Sequence, residues 1–339
     1  MPAAPDKPVL LTGASGNLGR VLARELTALG WTLRLTDLAP FPDPLPERAS
    51  FTRMDLADGV GLLRLAEGCG AILHFGGISV EQPFGTVLGP NIQGLYHVYE
   101  AARREGARVI FASSNHSIGF HERPQGNAAK LDVDCAFRPD GFYGLSKAYG
   151  ELMGRTYWDK HGVENVNFRI GSCFPEPTEA RMLATWLSFA DLVRLCEAAV
   201  TAPRSGHCVI WACSNNPASF WGRDHRDRIG WQPRGQCGSV PRQGRPHHLG
   251  QPGDRALPGR RLHRDRLFPR QALGGGCLRS RLSRAPRQRA RSCSARPGGK
   301  RRCCPGRAPP SPGCPAAAPR CWRPCRSAPT RMRASPAPS

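Results

Sequence analysis

Seven short apolar runs alternating with helical patterns constrain this chain more than any other feature. They lie at residues 8–13, 32–37, 50–55, 70–76, 108–114, 166–173 and 208–214. The runs are continuous rather than alternating, as expected of strands covered on both faces. Between them, residues 17–29, 58–67, 91–105, 141–160 and 188–202 carry apolar side chains three and four positions apart, as Leu95, Val98, Tyr99 and Ala102 do. The alternation predicts an α/β chain with a doubly wound parallel sheet and crossover helices. Residues 120–140 are polar, are broken by Pro124 and Pro139, and read as a loop.

Past Pro233 the pattern stops. Residues 1–233 hold 23 Lys+Arg and 24 Asp+Glu, whereas residues 234–339 hold 24 Arg, one Lys and two acids, so the net charge of +22 describes neither part. Those last 106 residues include 17 Pro and 13 Gly against eight Leu or Val. Such a segment buries too little apolar surface to offset its ordering entropy and is read as disordered. A basic arm for nucleic acid is one reading. Against it stand the scarcity of Lys, the two lone aromatics Phe268 and Trp322, and the lack of any RGG-like repeat. Cys303 with Cys304, or Cys321 with Cys325, do not make the paired CxxC sets of a zinc site, so no metal is expected. GC-rich coding DNA read out of frame gives this composition, and a frameshift near codons 222–236 is the preferred reading. The N-terminus shows no basic segment followed by an apolar one, and no apolar run is long enough to span a bilayer. A soluble, cytoplasmic domain is expected.

Three clusters carry chemistry. TGASGNLG at residues 12–19 closes the first strand and opens the first helix. Gly13 permits the tight turn, Gly16 lets the backbone approach a pyrophosphate, and Gly19 allows close helix–strand packing, while the helix N-terminus favours phosphate. Asp37 ends the second strand, where a carboxylate accepts from an adenosine ribose and repels a 2′-phosphate, favouring NAD over NADP. Arg34 should face away from Asp37 by strand alternation. Tyr143 and Lys147 are four apart at the start of a long helix, on one face. An ammonium there favours the phenolate and is expected to lower the Tyr143 pKa from about 10. Ser113 and Ser114 sit at the carboxyl end of the fifth strand, the edge where open parallel sheets bind ligands.

TGASGNLG, Asp37, Asp55, Ser114 and the Tyr143–Lys147 pair resemble the extended short-chain dehydrogenase/reductase superfamily. The strings HFGGISVEQPF (74–84), SSNHSIGF (113–120), RPDGFYGLSK (138–147) and RIGSCFPEPTEARMLATWLS (169–188) closely resemble uronate dehydrogenases. That family oxidises C1 of galacturonate or glucuronate to an aldarolactone with NAD⁺, and the likeness runs from about Val9 to Pro233. The resemblance implies a Rossmann domain at 1–173, a small substrate region at 174–233 and the tail at 234–339. It implies Tyr143 as base, Lys147 as its partner and ribose anchor, and Ser114 as the hydroxyl that positions substrate. Cofactor contacts would come from Asn17, Leu18, Asp55, Leu56, Phe75, Gly76 and Asn91. Substrate contacts would fall on Ser79, Asn115, His116, Ser172 and Arg181, an Arg fork suiting a uronate carboxylate.

His116, Asp132, Asp134 and Cys173 invite misreading. No second ligand stands at metal spacing from His116, the two aspartates read as solvated, and Cys173 reads as a small buried residue. Trp186 reads as packing in an apolar helix lead-in with Leu183 and Leu187. Gly222, Arg223, Asp224 and His225 interrupt the family's pattern after Phe220 and Trp221, and its final acidic helix is not found after Pro233. A homo-oligomer is expected of a chain with that segment intact. The partner implied is a small sugar acid, with neither nucleic acid nor membrane. A nucleotide-sugar epimerase or dehydratase on the same scaffold would need more chain than residues 174–233 supply.

Overall fold

The computed structural model describes residues 4–126 and 128–238. The tail read as disordered and out of frame lies, beyond Gly238, outside the described residues. Seven parallel strands form the main sheet: β1 (Val9–Thr12), β2 (Leu33–Asp37), β3 (Ala49–Arg53), β4 (Ala71–His74), β5 (Arg108–Phe111), β6 (Asn165–Ile170) and β7 (His207–Ala212). Their spatial order is β3-β2-β1-β4-β5-β6-β7, so the chain reverses direction of travel between β1 and β4. Five crossover helices flank them: α1 (Asn17–Ala28), α2 (Gly59–Ala66), α3 (Gly94–Glu105), α4 (Phe142–His161) and α5 (Phe189–Thr201).

The continuous apolar runs follow from helices on both faces. Val9 and Leu11 join the core under α1 and α5, with Leu22, Leu26, Leu192 and Leu195. Leu10, between them in sequence, joins the opposite core with Leu62, Leu95, Val98 and Tyr157 from α2, α3 and α4. Successive strand residues point to opposite faces, so a doubly covered strand has no face left for polar residues. The third run departs from this expectation. β3 is an edge strand whose Ser50, Thr52 and Arg53 are exposed, and its Ser-Phe-Thr alternation shows one covered face.

The helix expected from residue 91 begins at Gly94, because Leu88–Gln93 wind as a π-helical turn. Pro90 lies within it and has no N–H for a regular helical bond. Gly106 and Gly162, both left-handed, end α3 and α4. Trp186, buried with Met182 and Leu183 as a packing residue, leads into α5 through a two-residue strand, Trp186–Leu187, paired with Ser172–Cys173.

Residues 120–140 are more than a polar loop. Leu131, Val133, Cys135 and Phe137 pack with Ile118, Trp211, Phe220 and Trp221. Asp132 accepts from the Arg223 N–H at 2.7 Å. The interrupting segment also covers the open edge of β7. His225 Nδ1 accepts from Val209 N at 3.0 Å, and Asp224 Oδ2 accepts from Trp211 N at 3.0 Å. Side-chain acceptors thus satisfy edge N–H groups that would otherwise invite pairing.

Residues 234–238, assigned to the tail by composition, continue along this body. The fully buried Asp191 accepts from Arg234 N at 2.9 Å, Gly235 N at 2.8 Å and Ser214 Oγ at 2.6 Å, and from Arg194. Burial alone would raise its carboxyl, but these donors hold it below the usual range. Removing one partner of a buried charge network costs about 3 kcal/mol. Asp191→Ala should therefore lower Tm by roughly 6–12 °C at pH 7 in a thermal melt. A depressed carboxyl contributes fully above its unfolded pKa, so the deficit should shrink as pH falls below about 4.

Candidate active site

The carboxyl ends of β1, β2, β4, β5 and β6 open into one cleft of about 970 Å³, at the point where the strand order reverses. Ligands bind at such switch points in open α/β sheets. Residues Gly13, Gly16, Asn17, Leu18 and Gly19 line one end. Gly13 has φ +72°, and a Cβ there would stand 2.5 Å from Gly76 N. A Cβ on Gly19 would collide with the Gly13 carbonyl. Above Gly16, by contrast, a Cβ would meet only that carbonyl, at 3.3 Å, leaving backbone open to the cleft. Gly16 gives α1 no side-chain cap, and the first turn holds no acidic residue. The cradle fits a pyrophosphate at the positive end of α1.

Asp37 borders the same end. Its Oδ2 accepts from Ser15 N at 3.0 Å and its Oδ1 from Ala39 N at 3.1 Å. Arg34 points the other way, donating to the Leu65 and Glu67 carbonyls. Asp55, Leu56, Phe75 and Gly76 complete this half of the wall. Asn91 does not line the cleft. Its side chain is committed to Ile78 N and O and to Ser146 Oγ, at 2.7–2.9 Å.

Ser114, Tyr143 and Lys147 meet at the centre. Ser114 follows β5, donates to Ile170 O at 3.4 Å and accepts from His116 N at 3.2 Å. Lys147, one turn after Tyr143 on α4, has its ammonium 5.5 Å from the centre of the Tyr143 ring and donates to Ala112 O at 2.7 Å. The expected lowering of the phenol does not hold in this structure. Burial pushes Tyr143 up to about 12, outweighing a hydrogen bond from Ser114, while Asp140 raises it further. Burial also brings Lys147 down to about 8, which leaves it mostly charged at pH 7. Desolvation is the largest influence on both groups.

Ser79, His116 and Ser172 line the far end with Cys173 and Phe174. Asn115 stands behind that wall, and Arg181, partly exposed, adjoins it through Ser172. Arg181 donates to Ser172 Oγ at 3.1 Å and to Glu179 at 2.6 Å. Asn115 is buried, its Oδ1 without a partner among the described residues. Burial pushes the Cys173 thiol up to about 12, so it is a poor nucleophile at neutral pH. Among the described residues no group of three His, Cys, Asp or Glu could hold a metal, and no helix is long and apolar enough to cross a membrane.

Residues missed by the sequence reading complete the surroundings. Asp140 accepts from His116 Nδ1 at 2.9 Å, a contact 24 residues apart that motif spacing does not reveal. Glu81 accepts from Phe142 N and Tyr143 N. Glu151, another turn beyond Lys147, pairs with Arg169 and accepts from Ser113 Oγ at 2.5 Å. Its i+4 spacing from Lys147 was a signal available in the sequence.

Residues 9–190 match the NAD dependent epimerase/dehydratase family. The uronate dehydrogenase of Pseudomonas syringae pv. tomato is 47% identical over 231 residues, 68% of this chain and 82% of that one. The crystal structure of uronate dehydrogenase from Agrobacterium tumefaciens aligns with a TM-score of 0.64 at 46% identity, covering 68% of this chain and 85% of that one. A mutant of that enzyme complexed with NAD aligns with the same values. The chain belongs to the NAD dependent epimerase/dehydratase family, in the group of the uronate dehydrogenases.

Proposed function

We propose that this chain oxidises a hexuronate, galacturonate or glucuronate, at C1 to the aldarolactone with NAD⁺. The observation that carries this reading is the convergence of Ser114, Tyr143 and Lys147 in the one cleft that the glycine cradle and Ser172 also line. NAD, held along Gly13, Gly16, Asn17, Leu18 and Gly19 with its adenosine end toward Asp37, Asp55 and Leu56, supplies the hydride acceptor. Phe75 and Gly76 border its nicotinamide side, and Asn91 supports that border from behind.

Ser114 Oγ orients the C1 hydroxyl and Tyr143 takes its proton. Lys147, charged at neutral pH, favours the phenolate form of Tyr143 that accepts this proton, and anchors the ribose. Arg181, steadied by Glu179, supports Ser172 and turns its remaining guanidinium donors to the uronate carboxylate. Ser79 and His116 hold sugar hydroxyls, and Asn115, buried beside His116, supports that end of the cleft. The reading places the reaction in the cytoplasm, on a small sugar acid, without nucleic acid or membrane partner.

Absorbance at 340 nm reports the reaction, with UDP-glucose and NADP⁺ as controls. Turnover should be confined to NAD⁺ plus a uronate, and UDP-glucose oxidation in place of uronate oxidation would contradict the reading. Tyr143→Phe should lower kcat by about 10³-fold or more while NADH binding, followed by fluorescence, stays intact. Because burial holds the Tyr143 phenol above its ordinary value, the phenolate fraction grows with pH. The value of kcat/KM should therefore rise between pH 6 and 8, by up to about tenfold per unit. A flat profile would show that Tyr143 is not the titrating base. Arg181→Ala should raise KM for the uronate about tenfold, the scale of a hydrogen bond between charged groups, without changing KM for NAD⁺.

A further inference from the structure

The loop after β4 carries Gly77, Ile78 and Ser79 of the cleft wall. It is fastened at two places, and both fastenings end on α4. Asn91 grips Ile78 by both backbone groups and reaches Ser146 on α4. Gly77, at φ +113°, packs so closely that a Cβ would stand 2.6 Å from Asn91 Oδ1. Three residues after Ile78, Glu81 Oε1 accepts from Phe142 N at 2.8 Å and Oε2 accepts from Tyr143 N at 2.9 Å.

The second fastening supplies what α4 lacks. Its N-cap residue is Gly141, with no side chain to accept from the first turn. Four N–H groups at a helix start have no partner within the helix. Glu81 satisfies two of them from 61 and 62 residues away, and its charge suits the positive end of a 20-residue helix. A Cβ on Gly141 would collide with this carboxylate, so the glycine makes room for the seat. Ser79 lies between the two fastenings, one residue after Ile78 and two before Glu81.

We propose that Glu81 is a positioning residue for the uronate: by capping α4 at Phe142 and Tyr143 it holds Ser79 at a fixed spacing from the phenol. This rests on the reading of the cleft as a uronate oxidation site. Glu81 touches none of the reacting atoms and acts through the Tyr143 backbone on one side and Ser79 on the other. Its removal frees the substrate side of the loop while the glycine cradle, built on β1 and α1, keeps its shape. The consequence is a selective weakening of sugar binding.

Two measurements on the full-length chain test this, with Glu81→Ala and Glu81→Gln. Amide hydrogen exchange on the protein alone should speed up at Phe142 and Tyr143 in Glu81→Ala. In steady-state assays KM for galacturonate should rise about tenfold, the scale of one charge-assisted hydrogen bond, while KM for NAD⁺ is unchanged. Glu81→Gln keeps one acceptor oxygen and should fall between wild type and Glu81→Ala, which also covers the case in which the alanine variant folds poorly. Equal rises in both KM values alongside a lowered Tm would overturn the proposal in favour of general destabilisation. So would unchanged KM values, or unchanged exchange at Phe142 and Tyr143. A wild-type chain that binds NADH but leaves uronates untouched would overturn the functional reading and the substrate role of Glu81 with it, while exchange still decides the cap.

Discussion

The buried ion pair between Glu151 and Arg169 holds together the elements that the cleft needs. Both side chains are only 2% exposed. Taking two charges out of water costs several kcal/mol per ion, so the pair is tolerable only with its remaining donors and acceptors satisfied. They are: Arg169 donates from Nε and Nη2 to the carboxylate and from Nη1 to Val133 O at 3.0 Å, and Ser113 Oγ donates to Glu151. The guanidinium also lies 5.0 Å from the centre of the Trp211 ring. One network thereby ties α4 to the end of β5, the end of β6, residues 131–137 and β7. Tyr143, Lys147 and Glu151 succeed one another at one-turn intervals on α4, so fixing Glu151 fixes the register of the other two.

The middle of the cleft shows how far burial can override a favourable charge. An ammonium near a phenol suggests an easily ionised tyrosine, but both groups are withdrawn from water, and withdrawal disfavours the charged form of each. His74, wholly buried beside Thr12 and Phe111, follows the same rule and is brought down to about 3, which leaves it neutral. Its hydrogen bond to Thr12 Oγ1, which accepts in turn from Gly76 N, stiffens the β4 edge of the cleft without adding charge. The chain's own groups thus provide a low-dielectric site in which charge brought by a ligand acts strongly.

What was legible in the sequence was what depends on near neighbours. The apolar runs located all seven strands, the glycines located the turn that seats α1, and strand parity turned Asp37 and Arg34 to opposite faces. Four-residue spacing put Tyr143 and Lys147 together. What was not legible depends on distant partners or on magnitude. Glu81 and Asp140 acquire their partners across 62 and 24 residues. Residues 131–137 carry a two-residue apolar period, Leu131, Val133, Cys135 and Phe137, that intervening aspartates and flanking prolines disguised as a polar loop. The Ser-Phe-Thr alternation of β3 already marked an edge, yet a run of seven similar segments invited one description for all. The Tyr143 shift turns on the degree of enclosure, which only the folded arrangement sets. Past Pro233 composition alone placed the boundary, and Asp191 moves the fastened chain on to Arg234 and Gly235.

On the proposed reading, one cleft aligns a dinucleotide and a sugar acid across Ser114 and Tyr143. The most direct measurement is a crystal structure of the Tyr143→Phe variant with NAD⁺ and galacturonate bound. The pyrophosphate should lie at the Gly13–Gly19 turn, the adenosine ribose at Asp37, the C1 oxygen within about 2.6–3.2 Å of Ser114 Oγ, and the sugar carboxylate at the Ser172–Arg181 side. A nucleotide bound elsewhere, or a sugar whose C1 lies away from Ser114, would contradict it.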